Sequence, residues 1–257
     1  MEKIRINKFI SHNTNYSRRE ADELIKQGKV SLNGRIVSDF SVGVSKEDKL
    51  KINGKFVNKK KDFTMIIYHK PKGELVTNKD DRGRRTIFDS LPRGFSKFVS
   101  IGRLDFASEG LLLLTDTPAI ATALMKSDIE REYYLKVKGE ITPEVITAMR
   151  EGFFAKDASK GAHSKSKITS MEFKPFLAYR VFETSGGYTK VKAIINEGQN
   201  RELRRFFGYF DLDVVDLKRT AFGRITLSTL KPGKWRYFET SEYDDLRDFM
   251  KENGVRY

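Results

Sequence analysis

From Tyr133 to Lys138 the side chains alternate: Tyr133, Leu135 and Val137 interleave with Tyr134, Lys136 and Lys138. A period of two is a β-strand with one face buried. Here the outer face is basic. The segment commits the chain to a sheet with a core beneath it. Residues 111–114 form a second strand candidate, wholly apolar. Further candidates are 64–68, 98–101, 168–173, 178–184, 190–195, 214–217, 225–227 and 235–238.

Helices fall between these strands. Thr117-Pro118 and Thr142-Pro143 each place Thr at an N-cap and Pro in the first turn. The first helix should run to about Met125, and Gly152 should end the second. Residues 200–207 read as a short helix, and Ser241 opens a terminal one. Residues 155–167 are rich in Lys, Ser, Gly and Ala and read as an exposed loop or strand edge. The expected class is α+β: a mixed, mainly antiparallel sheet with flanking helices.

The N-terminal quarter has a different texture. Ser17-Arg18-Arg19-Glu20 is a capping box, followed by Ala21, Leu24 and Ile25 at helical spacing and closed by Gly28. A shorter helix around residues 4–11 precedes it, with Ile6, Phe9 and Ile10 on one side. Asn33-Gly34 and Asn53-Gly54 each lie between short apolar runs, the strongest local cue for a hairpin. Lys59-Lys60-Lys61 reads as a linker. The expected domains are therefore residues 1–61, a helix-hairpin module, and residues 62–257.

Charge sharpens this division. The chain carries 49 Lys+Arg against 35 Asp+Glu, a net charge of +14. Residues 1–62 hold 15 of the basic and 8 of the acidic residues, so half of the excess lies in a quarter of the length. With 39% hydrophobic residues the chain is too apolar to be disordered, and the excess charge must lie on its surface. A folded, strongly basic chain points first to a polyanion, most often nucleic acid. The plainer alternative is a basic protein with no special partner. The absence of cysteine excludes a disulfide scaffold, a thiol nucleophile and thiolate zinc sites. No apolar leader opens the chain, and its most apolar stretch is broken by Asp116 and Pro118. A soluble, cytoplasmic protein with no membrane contact is expected.

Three segments can carry chemistry. In Gly102-Arg103-Leu104-Asp105-Phe106-Ala107-Ser108-Glu109-Gly110, a charged loop leads into the apolar strand. An Asp beside an Arg there suits a carboxylate kept ionised, although by composition a structural ion pair is the first reading. In Arg131-Glu132-Tyr133-Tyr134-Leu135, Tyr133 is either core or the wall of a pocket that stacks on a base. In 196–207, Arg201, Arg204 and Arg205 fall on one helical face, and Leu203, Phe206 and Phe207 on the other. That places three guanidiniums together as an anion site, or as a solvated basic face. In the N-terminal module, Arg5, Lys8, Ser17, Arg18, Arg19 and Lys29 lie on or beside the helices. The start of the second helix is a natural phosphate seat.

These patterns resemble two known families. Residues 2–60, with the capped Ser-Arg-Arg helix and then Gly-Lys-Val-x-Leu-Asn-Gly, resemble the S-four-type RNA-binding domain. That likeness implies RNA held by shape and backbone. Gly102-Arg-Leu-Asp105-x-x-Ser108-Glu-Gly-Leu-Leu-Leu-Leu-Thr115 resembles the catalytic motif of ribosomal RNA pseudouridine synthases. His69-Lys70-Pro71-Lys72-Gly73, Arg131-x-Tyr133-x-Leu135 and Glu197-Gly-x-Asn-Arg-x-Leu-Arg-Arg205 are similar to that family's other motifs, in the same order.

The resemblance implies a pseudouridine synthase fold and an isomerisation in which uracil leaves the ribose, turns and rejoins through carbon. It implies Asp105 as the catalytic carboxylate, which attacks the ribose anomeric centre, assists glycal formation or adds to the base. Tyr133 would stack on the uracil. Arg204 would pair with Asp105. Arg103 would enter the RNA stack, and Ile194 would close the far side of the pocket. Arg201 and Arg205 would bind substrate.

No metal or small-molecule cofactor is implied, which fits a chain with 3 His and no Cys. The partner would be structured ribosomal RNA and the enzyme a monomer. The form of 200–205 resembles the large-subunit enzymes of this branch; small-subunit RNA, or a non-catalytic assembly role, are the alternatives. A methyltransferase would want a Gly-rich cofactor loop after the first strand, and only Pro71-Lys72-Gly73 stands there. Departures from the family pattern are Thr115-Asp116-Thr117-Pro118 after the leucines, Arg131 for a common Lys, and the unmatched loop 155–167.

Overall fold

The structure, a computed structural model, describes residues 4–14, 16–45, 47–57, 63–163 and 166–252. The linker expected at residues 59–61 lies outside these.

The N-terminal module runs β1 (Ile4–Arg5), α1 (Ile6–Asn13), α2 (Arg18–Lys26), β2 (Val30–Leu32), β3 (Arg35–Ile36), β4 (Gly43–Val44), β5 (Leu50–Ile52) and β6 (Lys55–Phe56). The capping box closes α2 as its sequence demands. Ser17 Oγ accepts the Glu20 N–H at 3.2 Å, and the Glu20 carboxylate accepts the Ser17 N–H at 2.6 Å. Both Asn-Gly pairs form tight hairpin turns with positive φ, at 51° and 84° for Asn33-Gly34 and 50° and 78° for Asn53-Gly54. These turns set the order β3-β2-β5-β6. Ile6, Ile10, Ala21 and Ile25 from the helices and Val30, Leu50 and Ile52 from the strands share one small core.

The larger part runs β7 (Met65–Lys70), α3 (Ile87–Ser90), β8 (Val99–Ser100), β9 (Glu109–Thr115), α4 (Pro118–Lys126), β10 (Arg131–Lys138), α5 (Pro143–Glu151), β11 (Phe153–Ala155) and β12 (Met171–Phe173). It continues through β13 (Ala178–Val181), β14 (Tyr188–Ile195), α6 (Glu202–Tyr209), β15 (Asp213–Phe222), β16 (Ile225–Thr226), β17 (Trp235–Tyr237) and α7 (Thr240–Glu252). Among the described residues these build a nine-stranded sheet in the order β13-β14-β10-β15-β9-β7-β17, with β16 on β15 and β8 on β9. The pairings are antiparallel except β9 with β15, which is parallel. The fold is α+β with a mixed, mainly antiparallel sheet.

The parallel joint depends on Gly110, which faces Arg219. Its φ is +118°, and a Cβ there would lie 2.2 Å from the Arg219 carbonyl oxygen. The apolar run in β9 is explained by cover on both faces. Leu111 and Leu113 pack with α4 and α7, while Leu112 and Leu114 pack with Ile87, Phe95 and Phe98. In β10, Tyr133, Leu135 and Val137 are buried with α5 and α6, and Tyr134, Lys136 and Lys138 are exposed. A register shift against β15 falls between Glu132 and Tyr133. Such bulges re-aim side chains beside functional sites.

Local readings need adjustment. The strand expected at 64–68 continues through His69 and Lys70, because they pair with Leu111 and Gly110. Thr117 and Thr142 occupy N-cap positions without a side-chain cap bond; Thr117 Oγ1 donates to Asp116 instead. The strands expected at 98–101 and 168–173 shrink to β8 and β12. The loop after β11 is largely exposed, as its composition indicates. Ala155 and Ala158 are buried against the α5–α6 core. No helix among the described residues is long and apolar enough to cross a membrane.

Candidate active site

Asp105 sits on the loop that joins β8 to β9, held there by its neighbours. The Ser108 N–H donates to the Asp105 carbonyl at 3.0 Å, and the Gly73 N–H to the Phe106 carbonyl at 2.8 Å. Lys70, whose side chain is fully buried, donates to the Ser108 carbonyl at 2.8 Å and to the Pro71 carbonyl at 2.9 Å. Burial lowers the Lys70 ammonium to about 8. Residues 69–73 and the Asp105 loop are thus tied by Gly73 and by Lys70, a lysine quoted in a motif but not singled out from the sequence.

Helix α6 supplies the cations. Arg201 Nη1 donates to Asp105 Oδ2 at 3.2 Å. Arg204 Nε lies 3.5 Å from the same oxygen without forming a hydrogen bond. The Arg204 guanidinium is anchored otherwise, by the Val214 carbonyl at 2.6 Å and Ser108 Oγ at 3.2 Å. The expected Asp105–Arg204 pair therefore exists as an ion pair, with Arg201 making the closer contact.

Two site expectations are corrected. Arg205 does not join the other arginines. Its side chain is fully buried on the far side of α6, where it donates to the carbonyls of Ala158 (2.6 Å), Asn200 (3.0 Å) and Ile168 (3.1 Å) and to Ser166 Oγ (2.6 Å). The backbone carbonyls of a folded loop, not an external anion, satisfy it. Ile194 does not line the pocket. It pairs with Glu132, whereas Ala193 pairs with Tyr133 and Ile195 with Arg131. Side chains alternate across a strand, so Ile195 takes the position expected of Ile194.

A cavity of about 80 Å³ lies against Asp105, walled by Tyr133, Ile195, Leu203 and Leu217, with Arg103, Arg201 and Arg204 around it. Arg103 is exposed, and Tyr133 is 8% exposed. Glu202 also lines this cavity and was not anticipated. It is buried, accepts the Gln199 N–H at 2.9 Å, and is raised by burial to about 7. Arg131 is buried too, with its guanidinium 5.1 Å from the Phe222 ring centroid, and donates to the Asn196 carbonyl at 2.6 Å. It braces the turn before α6. A larger cavity, about 340 Å³, lies under α7. Its lining is mainly apolar but includes Asp248, Glu252 and Arg224, the last already paired with Asp245. The smaller cavity is the one that holds convergent polar groups beside an aromatic wall.

In the N-terminal module Arg5, Arg18, Arg19 and Lys29 are exposed and Lys8 is partly so. Ser17 is spent on the capping box, and Glu20 adds a carboxylate to the helix start. Of the group expected to seat a phosphate, the basic side chains remain available and the Ser17 hydroxyl is engaged.

A carboxylate held by guanidiniums beside an aromatic wall, on a chain with a separate basic module, belongs to a class: enzymes that act on a planar base carried by a polyanion. Residues 64–209 match the RNA pseudouridylate synthase family, and residues 4–50 match the S4 domain. The chain belongs to the RNA pseudouridine synthase family. It is 45% identical over 249 residues, covering 96% of this chain and 95% of its relative, to an uncharacterized RNA pseudouridine synthase of Helicobacter pylori (strain ATCC 700392 / 26695). It is 34% identical over 245 residues, 95% of each chain, to the ribosomal large subunit pseudouridine synthase B of Bacillus subtilis (strain 168). A solved pseudouridylate synthase superposes with a TM-score of 0.61 at 27% identity, over 95% of this chain and 99% of that one.

Proposed function

We propose that this enzyme isomerises uridine to pseudouridine at a defined position of large-subunit ribosomal RNA, with Asp105 as the catalytic carboxylate. The observation that carries the reading is the placement of Asp105 Oδ2 between Arg201 and Arg204 at the mouth of the Tyr133 pocket. The likeness to the ribosomal large subunit pseudouridine synthase B of Bacillus subtilis supports the large-subunit target.

In the net reaction the N1–C1′ bond breaks, a C5–C1′ bond forms, C5 loses its proton and N1 gains one. Both guanidiniums address Oδ2, so Oδ1 is the oxygen left to meet the nucleoside. Tyr133 stacks on the uracil and fixes the ring while it turns, and Ile195 closes the opposite wall. A paired or stacked base must first be flipped out, at a cost of a few kcal/mol. Arg103, exposed at the pocket mouth, fills the gap that the base leaves. Residues 1–61 hold the RNA by its backbone through Arg5, Lys8, Arg18, Arg19 and Lys29, and residues 62–257 carry the chemistry. The enzyme works in the cytoplasm as a monomer, without a metal or small-molecule cofactor.

Mapping pseudouridines in ribosomal RNA from cells with and without this protein tests the target. One large-subunit position should lose its pseudouridine in the deletion. Loss at a small-subunit position would overturn the target, and an unchanged map would overturn the assignment to ribosomal RNA.

A further inference from the structure

Arg201 has two partners that no substrate-binding role requires. Its Nε donates to the Gly161 carbonyl at 2.7 Å while its Nη1 donates to Asp105 Oδ2 at 3.2 Å. Among the described residues, this is the only hydrogen bond to the Asp105 carboxylate. Arg201 is also held in the left-handed region, with φ 54° and ψ 31°, at the N-terminus of α6. A non-glycine residue there is strained and persists only where its surroundings fix it.

Those surroundings are the stretch 156–163, seated closely on α6. A Cβ at Gly161 would lie 2.1 Å from the Arg204 carbonyl oxygen, and one at Gly208 would lie 2.9 Å from Lys160 backbone atoms. Lys160 pairs with Asp211, and the buried Arg205 guanidinium takes the Ala158 carbonyl from below. The stretch is a fixed platform, and Arg201 spans from it to the carboxylate.

We infer that Arg201 is a positioning residue that sets the direction of the Asp105 carboxylate by bridging it to the Gly161 carbonyl. This rests on the reading of Asp105 as the catalytic carboxylate. The planar guanidinium is what makes the bridge: its N–H groups point in fixed directions, whereas a lysine ammonium is a single point of charge. Arg204, anchored on Val214 and Ser108, supplies charge nearby and leaves the direction to Arg201.

The test compares Arg201→Ala, Arg201→Lys and Gly161→Ala with Asp105→Asn. Each is taken as the full chain, with large-subunit ribosomal RNA transcribed in vitro as substrate. Turnover, KM, RNA affinity by filter binding and thermal melting are measured for each. Arg201→Ala should lower kcat roughly 100-fold, the scale of a small misplacement at a reacting group. Its KM and RNA affinity should stay within about threefold of wild type, because no ground-state contact to RNA is lost. Arg201→Lys should recover no more than about a tenth of the lost turnover, since charge alone does not rebuild the bridge. Gly161→Ala should lower kcat in the same sense, since its Cβ would press on the Arg204 backbone and shift the carbonyl that Arg201 holds. Full turnover in Arg201→Lys, or a loss confined to KM in Arg201→Ala, would overturn the inference. If Gly161→Ala does not fold, Arg201→Lys decides alone. An active Asp105→Asn would bring down the catalytic reading itself, which separates the two failures.

Discussion

A single charged side chain in this site is costly unless something holds it, and Glu202 shows how the cost is met. Its carboxyl is buried and raised to about 7, against 4.5 in an exposed chain, mainly through desolvation. Glu197 pushes in the same direction, while Arg131, Lys174 and the Gln199 N–H pull the other way. The folded chain therefore binds this proton more tightly than the unfolded one. The stabilising contribution is complete below about pH 4.5 and is lost as the pH rises through 7. Glu202→Gln stays neutral at every pH and keeps an oxygen for the Gln199 N–H. Its melting temperature should match wild type near pH 4.5 and exceed it increasingly up to pH 8. The gain should reach on the order of 3 kcal/mol at most. A difference that does not change with pH would show that Glu202 does not titrate with folding.

Elements built from local rules were legible; elements built from distant contacts were not. The capping box at Ser17, the Asn-Gly turns and the period-two strand β10 need only neighbours in the chain, and each is found as read. Ile195 was missed in favour of Ile194 because the two differ only in which face of β14 they take, and a one-residue shift exchanges the faces. Arg205 was grouped with Arg201 and Arg204 because helical spacing places them together. What separates them is a loop some forty residues upstream that arrives to take the Arg205 guanidinium. Lys70 and Glu202 are charged residues whose burial follows only once β7 pairs with β9 and α6 docks on its core. The parallel joint of β9 with β15 is likewise invisible along the chain, and it makes a sharp prediction. Gly110→Ala would drive a Cβ into the Arg219 backbone at a position with φ +118°. Urea denaturation should show a loss of about 3 kcal/mol or more; a loss under about 1 kcal/mol would mean that the joint yields freely.

On the scale of the whole molecule, the net charge of +14 divides between a small module and a catalytic sheet. If the module holds RNA by its backbone, replacing Arg18 and Arg19 with Gln should weaken RNA binding. The slope of log affinity against log salt should then fall by about 1 to 2. The kcat at saturating RNA should remain that of wild type, because neither side chain lines the Asp105 cavity. An unchanged slope would place the RNA elsewhere on the surface. On the proposed reading, a small docking module delivers RNA to one carboxylate held by α6. The most direct measurement compares purified wild type and Asp105→Asn on large-subunit ribosomal RNA, counting pseudouridine formed and RNA bound in the same samples. Wild type should convert one uridine per molecule, and Asp105→Asn should convert none while binding RNA with nearly wild-type affinity. Pseudouridine formation by the variant at the wild-type rate would contradict the account.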